Sequence, residues 1–228
     1  KEESVNSIIA LNDETEDSDY LTFITKEGLV KRTNVLEFKK IRNSGKLAII
    51  LHDDDELVAV RKTKGNNEIV IGASNGRMVR FNENEVRSMG RGTSGVKGID
   101  LDGAYVVGAE IIYDNAEILI VTEKGYGKRT NIDEYRLTHR GSKGVKALNV
   151  TEKNGAMIAL KTVSGDEDLI IITDSGVLMR MSLEQVSTLK RATQGVRLIN
   201  LKDNQKVATV ALVEKAEETT EEEPVSYT

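Results

Sequence analysis

The chain has 228 residues, of which 39% are hydrophobic, 4% aromatic and 30% charged, and its formal net charge is −5. This length supports a sizeable buried core, and Ile, Val and Leu must fill it because Trp is absent. Cys is also absent, which excludes disulfides and thiolate metal sites and suits a reducing cytoplasm. No apolar stretch approaches the ~18–20 residues that span a bilayer, and no secretory signal pattern is present. These features predict a cytoplasmic protein.

One pattern of hydrophobic run, glycine and basic loop recurs four times along the chain. The glycine after each hydrophobic run falls at Gly28, Gly76, Gly125 and Gly176, and a second glycine falls at Gly45, Gly95, Gly144 and Gly195. A repeat of about 50 residues is typical of blade or solenoid arrays, in which no unit buries its hydrophobic face alone. We place four modules at about 5–66, 67–115, 116–166 and 167–213, in an array that covers 1–213.

Each module is predicted to contain four antiparallel strands. The first strands are β-branched runs at 20–25, 68–72, 117–122 and 168–173. A tight turn ends in the first glycine, which supplies the positive φ of a hairpin, and leads to the second strand. Third strands such as 145–150 and 196–201 precede fourth strands at 57–60, 106–109, 157–160 and 207–210. Four strands of ~5–6 residues with their turns fill such a repeat, so each module reads as one four-stranded blade.

A capping pattern follows each second strand. An Asn or Ser stands three residues before an acid or amide, as in Asn34 and Glu37, Asn82 and Glu85, Asn131 and Glu134, and Ser182 and Gln185. This spacing is typical of a capping box, so we expect one helical turn or a tight polar turn at these positions.

Positive charge is concentrated in one part of every module. The stretches 28–46, 76–97, 125–146 and 176–197 hold 21 basic and 6 acidic residues, whereas the rest of 1–213 holds 10 basic and 25 acidic residues. Within each stretch a basic loop offers an arginine, small residues and a second cation, for example from Arg140 to Lys146. The local field of segregated charge attracts a polyanion even when the net charge is negative. Ordinary solvated loop charges are the alternative interpretation.

Other functional classes find little support in the sequence. His52 and His139 are too isolated to suggest a metal or nucleophile pair and are expected at the surface. The acidic run 53–56 lacks the spacing and glycine of an EF-hand and reads as a hairpin turn. The pattern of a nucleotide phosphate loop is also absent. A protein-interaction propeller stays open as an alternative, and it requires an exposed apolar or aromatic patch.

The basic loops and their neighbours carry a specific family resemblance. The motifs are Gly125-Tyr126-Gly127-Lys128-Arg129-Thr130, the loop 140–146, the run 89–98 and the run 193–199. Over roughly 5–213 the chain resembles the C-terminal DNA-wrapping domain of the DNA gyrase A subunit, and it resembles the related topoisomerase IV domain less. The resemblance implies a β-pinwheel, a propeller-like disc of strand-exchanging blades around whose basic rim double-stranded DNA wraps.

The same resemblance implies a parent enzyme, an ATP-dependent type II topoisomerase that introduces negative supercoils. The partners would be DNA, the remainder of the gyrase A subunit, and the gyrase B subunit, in the cytoplasm at the nucleoid. For this chain we expect no catalytic residue, no cofactor and no metal. We predict DNA contacts from Lys31, Arg32, Lys39, Lys40, Arg42, Lys46, Arg77, Arg80, Arg87, Arg91, Lys97, Lys128, Arg129, Arg136, Arg140, Lys143, Lys146, Arg180, Lys190, Arg191 and Arg197.

The chain departs from the family pattern in two respects. Four modules are present where the family has six, and the Gln-Arg-Arg-Gly-Gly-x-Gly box of the family is absent. Because the chain begins with Lys1 rather than Met, we expect a fragment of a longer protein. Four modules of a six-module disc should form an open arc with two uncovered edges. Because the box is absent, we expect little chiral wrapping of DNA. Residues 214–228 hold six Glu and one Lys, which predicts a disordered acidic tail. The preferred interpretation is a solvated extension, and the alternative hypothesis is that the tail competes with a polyanion for the basic loops.

Overall fold

The computed structural model describes residues 5, 7–11, 15–39, 44–202 and 204–215, so the predicted acidic tail lies almost entirely outside the described residues. The regular secondary structure of these ranges consists of short strands and 3-10 turns. The strands are β1 (Tyr20–Thr25), β2 (Leu29–Asn34), β3 (Leu57–Thr63), β4 (Glu68–Ala73), β5 (Arg77–Asn82), β6 (Val96–Lys97), β7 (Val106–Ile111), β8 (Glu117–Thr122), β9 (Tyr126–Asn131), β10 (Val145–Lys146), β11 (Met157–Val163), β12 (Glu167–Thr173), β13 (Leu178–Ser182), β14 (Val196–Arg197) and β15 (Val207–Glu214). Within the described part of the chain, no helix is long and apolar enough to cross a membrane.

The strands form four antiparallel sheets, one for each module. The strand orders are β3-β1-β2-β6, β10-β5-β4-β7, β11-β8-β9-β14 and β13-β12-β15. The β-branched first strand of each module is an inner strand of its sheet, and in module 1 both edges of β1 are paired. The predicted all-β fold of antiparallel blades is therefore confirmed, although the fourth sheet has three strands among the described residues rather than four.

Neighbouring modules exchange their third strands. Strands β6, β10 and β14 belong to modules 2, 3 and 4 by sequence, but they pair with β2, β5 and β9 of the preceding module. These strands have two residues each, shorter than the predicted third strands at 145–150 and 196–201. They end early because the chain bends around the hairpin turn of the preceding module, where the amides of Ala147 and Leu148 both donate to the Gly76 carbonyl, at 2.8 and 3.0 Å.

Three of the four hydrophobic clusters lie between modules, and the fourth, which includes Phe23 and Phe38, lies within module 1. Ile24 of module 1, for example, belongs to one cluster with Ile69, Phe81 and Ile99 of module 2. Two similar clusters join modules 2 and 3 and modules 3 and 4. Burial of such clusters is the main favourable contribution to folding, so each junction depends on the exchanged strand.

Each second strand ends in a capped 3-10 turn, as the Asn and Ser positions predict. The caps accept a hydrogen bond from the amide two residues on, over 2.8–3.3 Å, at Asn34, Asn82, Asn131 and Ser182. The predicted reciprocal contact of a capping box is replaced in module 2, because Glu85 instead accepts from the Arg140 amide at 3.1 Å. The turn therefore also joins neighbouring modules.

The fourth strands line the inside of the array. Strand β3 contacts β7, β7 contacts β11, and β11 contacts β15, whereas no contact of comparable extent joins β15 to β3 among the described residues. A Cβ added to Gly28, Gly76 or Gly125 would meet the exchanged segment of the next module, but one added to Gly176 would meet open space. The array is thus the predicted open arc. The strands β6, β10 and β14 and the loops leading to them form its outer edge.

Candidate nucleic-acid interface

The basic loops at 91–97, 140–146 and 191–197 contact one another along the outer edge, and the first of them contacts the segment 47–50 of module 1. The segment that follows each loop donates a backbone hydrogen bond to the next loop, from Ile50 to Thr93 (3.1 Å), Asp100 to Ser142 (2.9 Å) and Asn149 to Thr193 (2.9 Å). Because the same bond recurs at all three junctions, the loops line up in one direction on one side of the arc.

The loop arginines reinforce this line. Arg91, Arg140 and Arg191 are half-buried. Each donates from Nη1 to a carbonyl of the preceding module, at Leu47 (3.0 Å), Lys97 (3.1 Å) and Lys146 (2.9 Å). Arg91 also lies 3.5 Å from the Glu37 carboxylate. These guanidinium groups therefore bridge neighbouring loops, and only part of their hydrogen-bonding capacity faces solvent.

One exposed cation occupies the same position in each of the three exchanged strands. Lys97, Lys146 and Arg197 are exposed, and each contacts a side chain three residues on, at Asp100 (3.1 Å), Asn149 (3.5 Å) and Asn200 (3.3 Å). Lys97 and Lys146 carry the carbonyls that accept from the arginines of the next loop. A cation of one module therefore stands beside the loop of the next.

A second set of exposed cations follows the 3-10 turns. Lys39, Arg87 and Arg136 occupy equivalent positions and are exposed. Lys39 pairs with Asp17, whereas the guanidinium groups of Arg87 and Arg136 have no carboxylate partner among the described residues. Each of them precedes a basic loop and adds an accessible charge to the outer edge.

The strand-end arginines are paired with carboxylates instead. Arg32, Arg80, Arg129 and Arg180 pair with Glu83 (3.4 Å), Glu68 (2.6 Å), Glu117 (2.8 Å) and Asp168 (2.8 Å), respectively. Arg80 also donates to two carbonyls of module 3, and Arg129 donates to one of module 4. Arg32, Arg80 and Arg129 therefore join neighbouring modules. Arg180 contacts only Asp168 and the Glu214 carbonyl of its own sheet, and its side chain is 44% exposed.

Two predicted contact residues are buried lysines. Lys31 and Lys128 are 0% exposed. The Lys31 ammonium donates to the carbonyls of Ala48 and Arg91, at 2.6 and 2.5 Å, and the Lys128 ammonium donates to those of Lys190 and Arg191, at 2.8 and 2.6 Å. Burial is the main cause that lowers the pKa of each from 10.5 to about 8, and the charge of the nearby loop arginine acts in the same direction. Both lysines anchor basic loops from beneath.

The remaining predicted residues are placed variously. Lys46 and Arg77 are half-buried and donate to the carbonyls of Glu37 (2.9 Å) and Gly144 (3.3 Å). Lys143 is exposed and pairs with Asp102 at 2.9 Å, and Lys190 is exposed immediately before the loop 191–197. Lys40 and Arg42 lie outside the described residues.

No metal site is apparent in the described ranges, since no group of three or more His, Asp or Glu side chains there could hold an ion. The His139 side chain is 91% exposed, with Nδ1 3.3 Å from Glu85, as expected of a surface histidine. Asp55 accepts from the Glu27 and Glu56 amides, at 2.9 and 2.8 Å. The acidic run therefore serves as a structural turn.

A propeller-like arc of strand-exchanging blades with a cationic outer edge defines the class to which this chain belongs. The sequence matches the family described as "DNA gyrase C-terminal domain, beta-propeller" at residues 19–64, 67–112, 116–164 and 167–214. The chain is a member of this family.

Curated relatives agree with this membership. The chain is 46% identical over 229 residues to the DNA gyrase A subunit of Staphylococcus aureus (strain NCTC 8325 / PS 47), covering 99% of this chain and 26% of that protein. It is 45% identical over 220 residues to the corresponding protein of Staphylococcus epidermidis (strain ATCC 12228 / FDA PCI 1200), covering 95% and 25%. The chain thus spans about a quarter of the length of these relatives.

Solved structures share the fold. A DNA topoisomerase IV C-terminal domain superposes with a TM-score of 0.83 at 27% identity, covering 89% of this chain and 64% of that one. A DNA gyrase A C-terminal domain gives 0.78 at 26% identity, covering 90% and 72%. Fold similarity is therefore high to both types of domain, while the staphylococcal gyrase relatives carry the higher sequence identity.

Proposed function

We propose that this chain binds double-stranded DNA along its outer edge without sequence preference, as an accessory domain of a DNA gyrase that introduces negative supercoils using ATP. One observation carries the proposal: exposed cations at equivalent positions follow consecutive, mutually bonded loops along one side of the arc. A line of several separate cations suits the many phosphates of a duplex better than it suits a single small anion.

The proposed contact set is narrower than the set of cations in the basic stretches. The strongest members are the exposed Lys97, Lys146, Arg197, Arg87 and Arg136, whose side chains reach solvent. Loop arginines add charge and order the loops. The buried lysines and the paired strand-end arginines act through the fold, because a buried or carboxylate-paired cation has little attraction left for a phosphate.

Within the proposed role the fragment contributes binding energy rather than chemistry. Cations that neutralise phosphates release counterions, and their combined attraction offsets the cost of bending the duplex, on the order of 1–6 kcal/mol for 20–30 base pairs. The proposed partners are DNA, the remainder of the gyrase A subunit, and the gyrase B subunit, in the bacterial cytoplasm at the nucleoid. Strand cleavage and ATP hydrolysis are assigned to the other parts of the enzyme.

The protein-interaction alternative requires an exposed apolar patch. Exposed apolar side chains do occur, at Tyr105, Tyr113 and Leu137 in the middle modules. Others lie at the two ends of the arc, at Leu47, Ile50 and Leu51 and at Val177 and Leu178. These are the positions where an exchanged strand joins neighbouring modules elsewhere in the chain. We therefore assign the two ends to contacts with further modules of a longer protein rather than to an unrelated partner.

Fluorescence anisotropy with a random-sequence duplex at several salt concentrations tests the proposal. Replacing Lys97, Lys146 and Arg197 with Ala should weaken binding and reduce the slope of log K against log salt by up to about 2.7, at about 0.9 per lost phosphate contact. The control replaces Lys26, Lys64 and Lys215, whose side chains reach solvent outside the basic stretches, and makes the same change in net charge. Equal slopes for the two triple variants would contradict DNA binding along the outer edge.

A further inference from the structure

A cleft of about 550 Å³ opens at the junction of modules 3 and 4. It lies at one face of the arc, where the hairpin turn after β8, the turn before β11 and the turn before β15 meet. Ile199 and Leu201 form part of its wall, and its rim carries Lys124, Lys153, Arg197, Lys202 and Lys206.

The cleft is strongly cationic. Its described lining residues include five cations and no acid, while Asp203 of the same turn lies outside the described residues. Lys206 is compensated by Glu123 at 2.8 Å, and the Lys124 ammonium donates to the Glu152 carbonyl. Lys153 and Lys202 have no carboxylate partner among the described residues.

An aromatic side chain holds two of these charges in place. Tyr126 is 7% exposed, and its ring centroid lies 5.5 Å from the Arg197 guanidinium and 5.7 Å from the Lys153 ammonium. The Tyr126 hydroxyl accepts a hydrogen bond from Arg197 at 3.0 Å. Cation–π contacts stabilise both side chains without neutralising them, so the site keeps its positive field while its cations are positioned.

The charge of this cleft differs from that of the corresponding cleft at the first junction. The corresponding cleft between modules 1 and 2 is lined by Lys26, Glu27 and Asp54 together with apolar and small residues. It therefore presents two carboxylates and one ammonium group. Because the fold is the same at both junctions, the difference lies in the side chains that the sequence supplies to the turns.

We propose that the cleft between modules 3 and 4 binds closely spaced phosphate groups, supplied by one strand of the duplex where DNA leaves the outer edge for the face of the arc. Arg197 makes this path continuous, since it belongs to the outer-edge strand β14 and also lines the cleft. The inference rests on the proposed function and adds an anchoring site to it. Convergent cations in a concave site concentrate the field on a polyanion more strongly than the same charges on a flat surface.

The test compares a cleft variant, in which Lys124, Lys153 and Lys202 are all replaced with Ala, with the control variant that lacks Lys26, Lys64 and Lys215. The replaced cleft side chains are exposed, so the fold should survive. The cleft variant should bind duplex about tenfold more weakly near 100 mM salt and lose up to about 2.7 in salt slope, at about 0.9 per contact. Its hydroxyl-radical footprint should shorten at one end only.

Three outcomes separate the possibilities. If the variant lacking Lys97, Lys146 and Arg197 binds weakly but the cleft variant binds like the control, this inference is wrong and the proposed function stands. If both triple variants bind like the control, the proposed function itself fails. If inorganic tripolyphosphate shifts the NMR signals of cleft amides while loss of the cleft lysines leaves duplex affinity unchanged, the cleft serves a small polyphosphate, and the assignment to DNA is overturned.

Discussion

Lys31 and Lys128 show how a cation can support a basic loop without reaching its surface. Both ammonium groups lie beneath a basic loop and donate to two carbonyls there. Modules 1 and 3 carry Lys before the strand-end arginine, whereas modules 2 and 4 carry Val79 and Met179. This alternation in the sequence indicates that the two lysines have a role of their own in modules 1 and 3. Their charge alone led to the prediction that they contact DNA.

The lowered pKa of Lys128 predicts a pH dependence of stability. Between the folded pKa, about 8, and the ordinary lysine value of 10.5, the unfolded chain binds more protons than the folded chain. The unfolding free energy contributed by this group should therefore rise with pH across that window, by up to about 3 kcal/mol, and be flat below pH 8.

Denaturant unfolding of the wild type and of Lys128→Met at several pH values measures this contribution. The difference in unfolding free energy between the two proteins should grow from pH 8 to pH 10.5 in favour of the wild type. Lys64→Met removes an exposed lysine and controls for the loss of one charge. A difference that stays constant over the window would show that the Lys128 ammonium keeps an ordinary affinity for its proton.

At the scale of elements, the exchanged strands depend on glycines, because an added Cβ would clash with the backbone of the preceding module. Gly144 precedes β10 with a φ of 64°, and a Cβ there would lie 2.1 Å from the Met78 carbonyl oxygen of the preceding module. Gly95 and Gly195 stand in the same position, within 2.6 and 2.8 Å of a backbone oxygen. The close approach lets the strand pair with its neighbour, which explains why this second glycine recurs in each of these modules.

Gly144→Ala should therefore weaken the junction of modules 2 and 3. The positive φ alone costs about 1–2 kcal/mol for a residue with a Cβ, and the contact with Met78 adds to it. We expect a melting temperature several degrees below the wild type, at roughly 2–4 °C per kcal/mol for a chain of this size. Gly92→Ala is the matched control, since Gly92 lies in a basic loop with nothing within 4 Å of the added atom. Equal melting temperatures for the two variants would contradict this account.

Periodicity located most elements but could not establish their pairing. The first and fourth strands and the capped turns follow from local signals: β-branched runs, turn glycines and Asn caps. The partner of β10 is β5, 67 residues away in the Val145–Met78 pair, and no local property of either strand encodes that choice. Strand exchange was expected from the family resemblance alone, and the two-residue length of the exchanged strands results from the bend around the neighbouring turn.

At the scale of the whole molecule, the basic loops lie on one side although the net charge is −5. The sequence predicted this separation of charge, because the basic residues occupy the same part of every repeat. Exposure could not be predicted in the same way. Arg80 and Arg87 are both basic residues of module 2, yet the first pairs with Glu68 and the second reaches solvent. Only the packing of the modules distinguishes a cation that stabilises a junction from one that is free for phosphate.

The open arc also limits what this chain can do to DNA topology. A duplex that follows an edge whose two ends do not meet turns through less than a full circle, so its flanking segments need not cross. Nucleosomal wrapping, which changes linking number, takes about 147 base pairs for about 1.65 turns.

We therefore expect this chain to bend DNA strongly but to shift the linking number of ligated nicked circles by well under one per bound molecule. Ligation across a titration of the protein, followed by topoisomer electrophoresis, measures the shift, and the variant lacking Lys97, Lys146 and Arg197 gives the background. A shift near one per bound chain would contradict this expectation. It would mean that four modules wrap DNA chirally without the Gln-Arg-Arg-Gly-Gly-x-Gly box of the family.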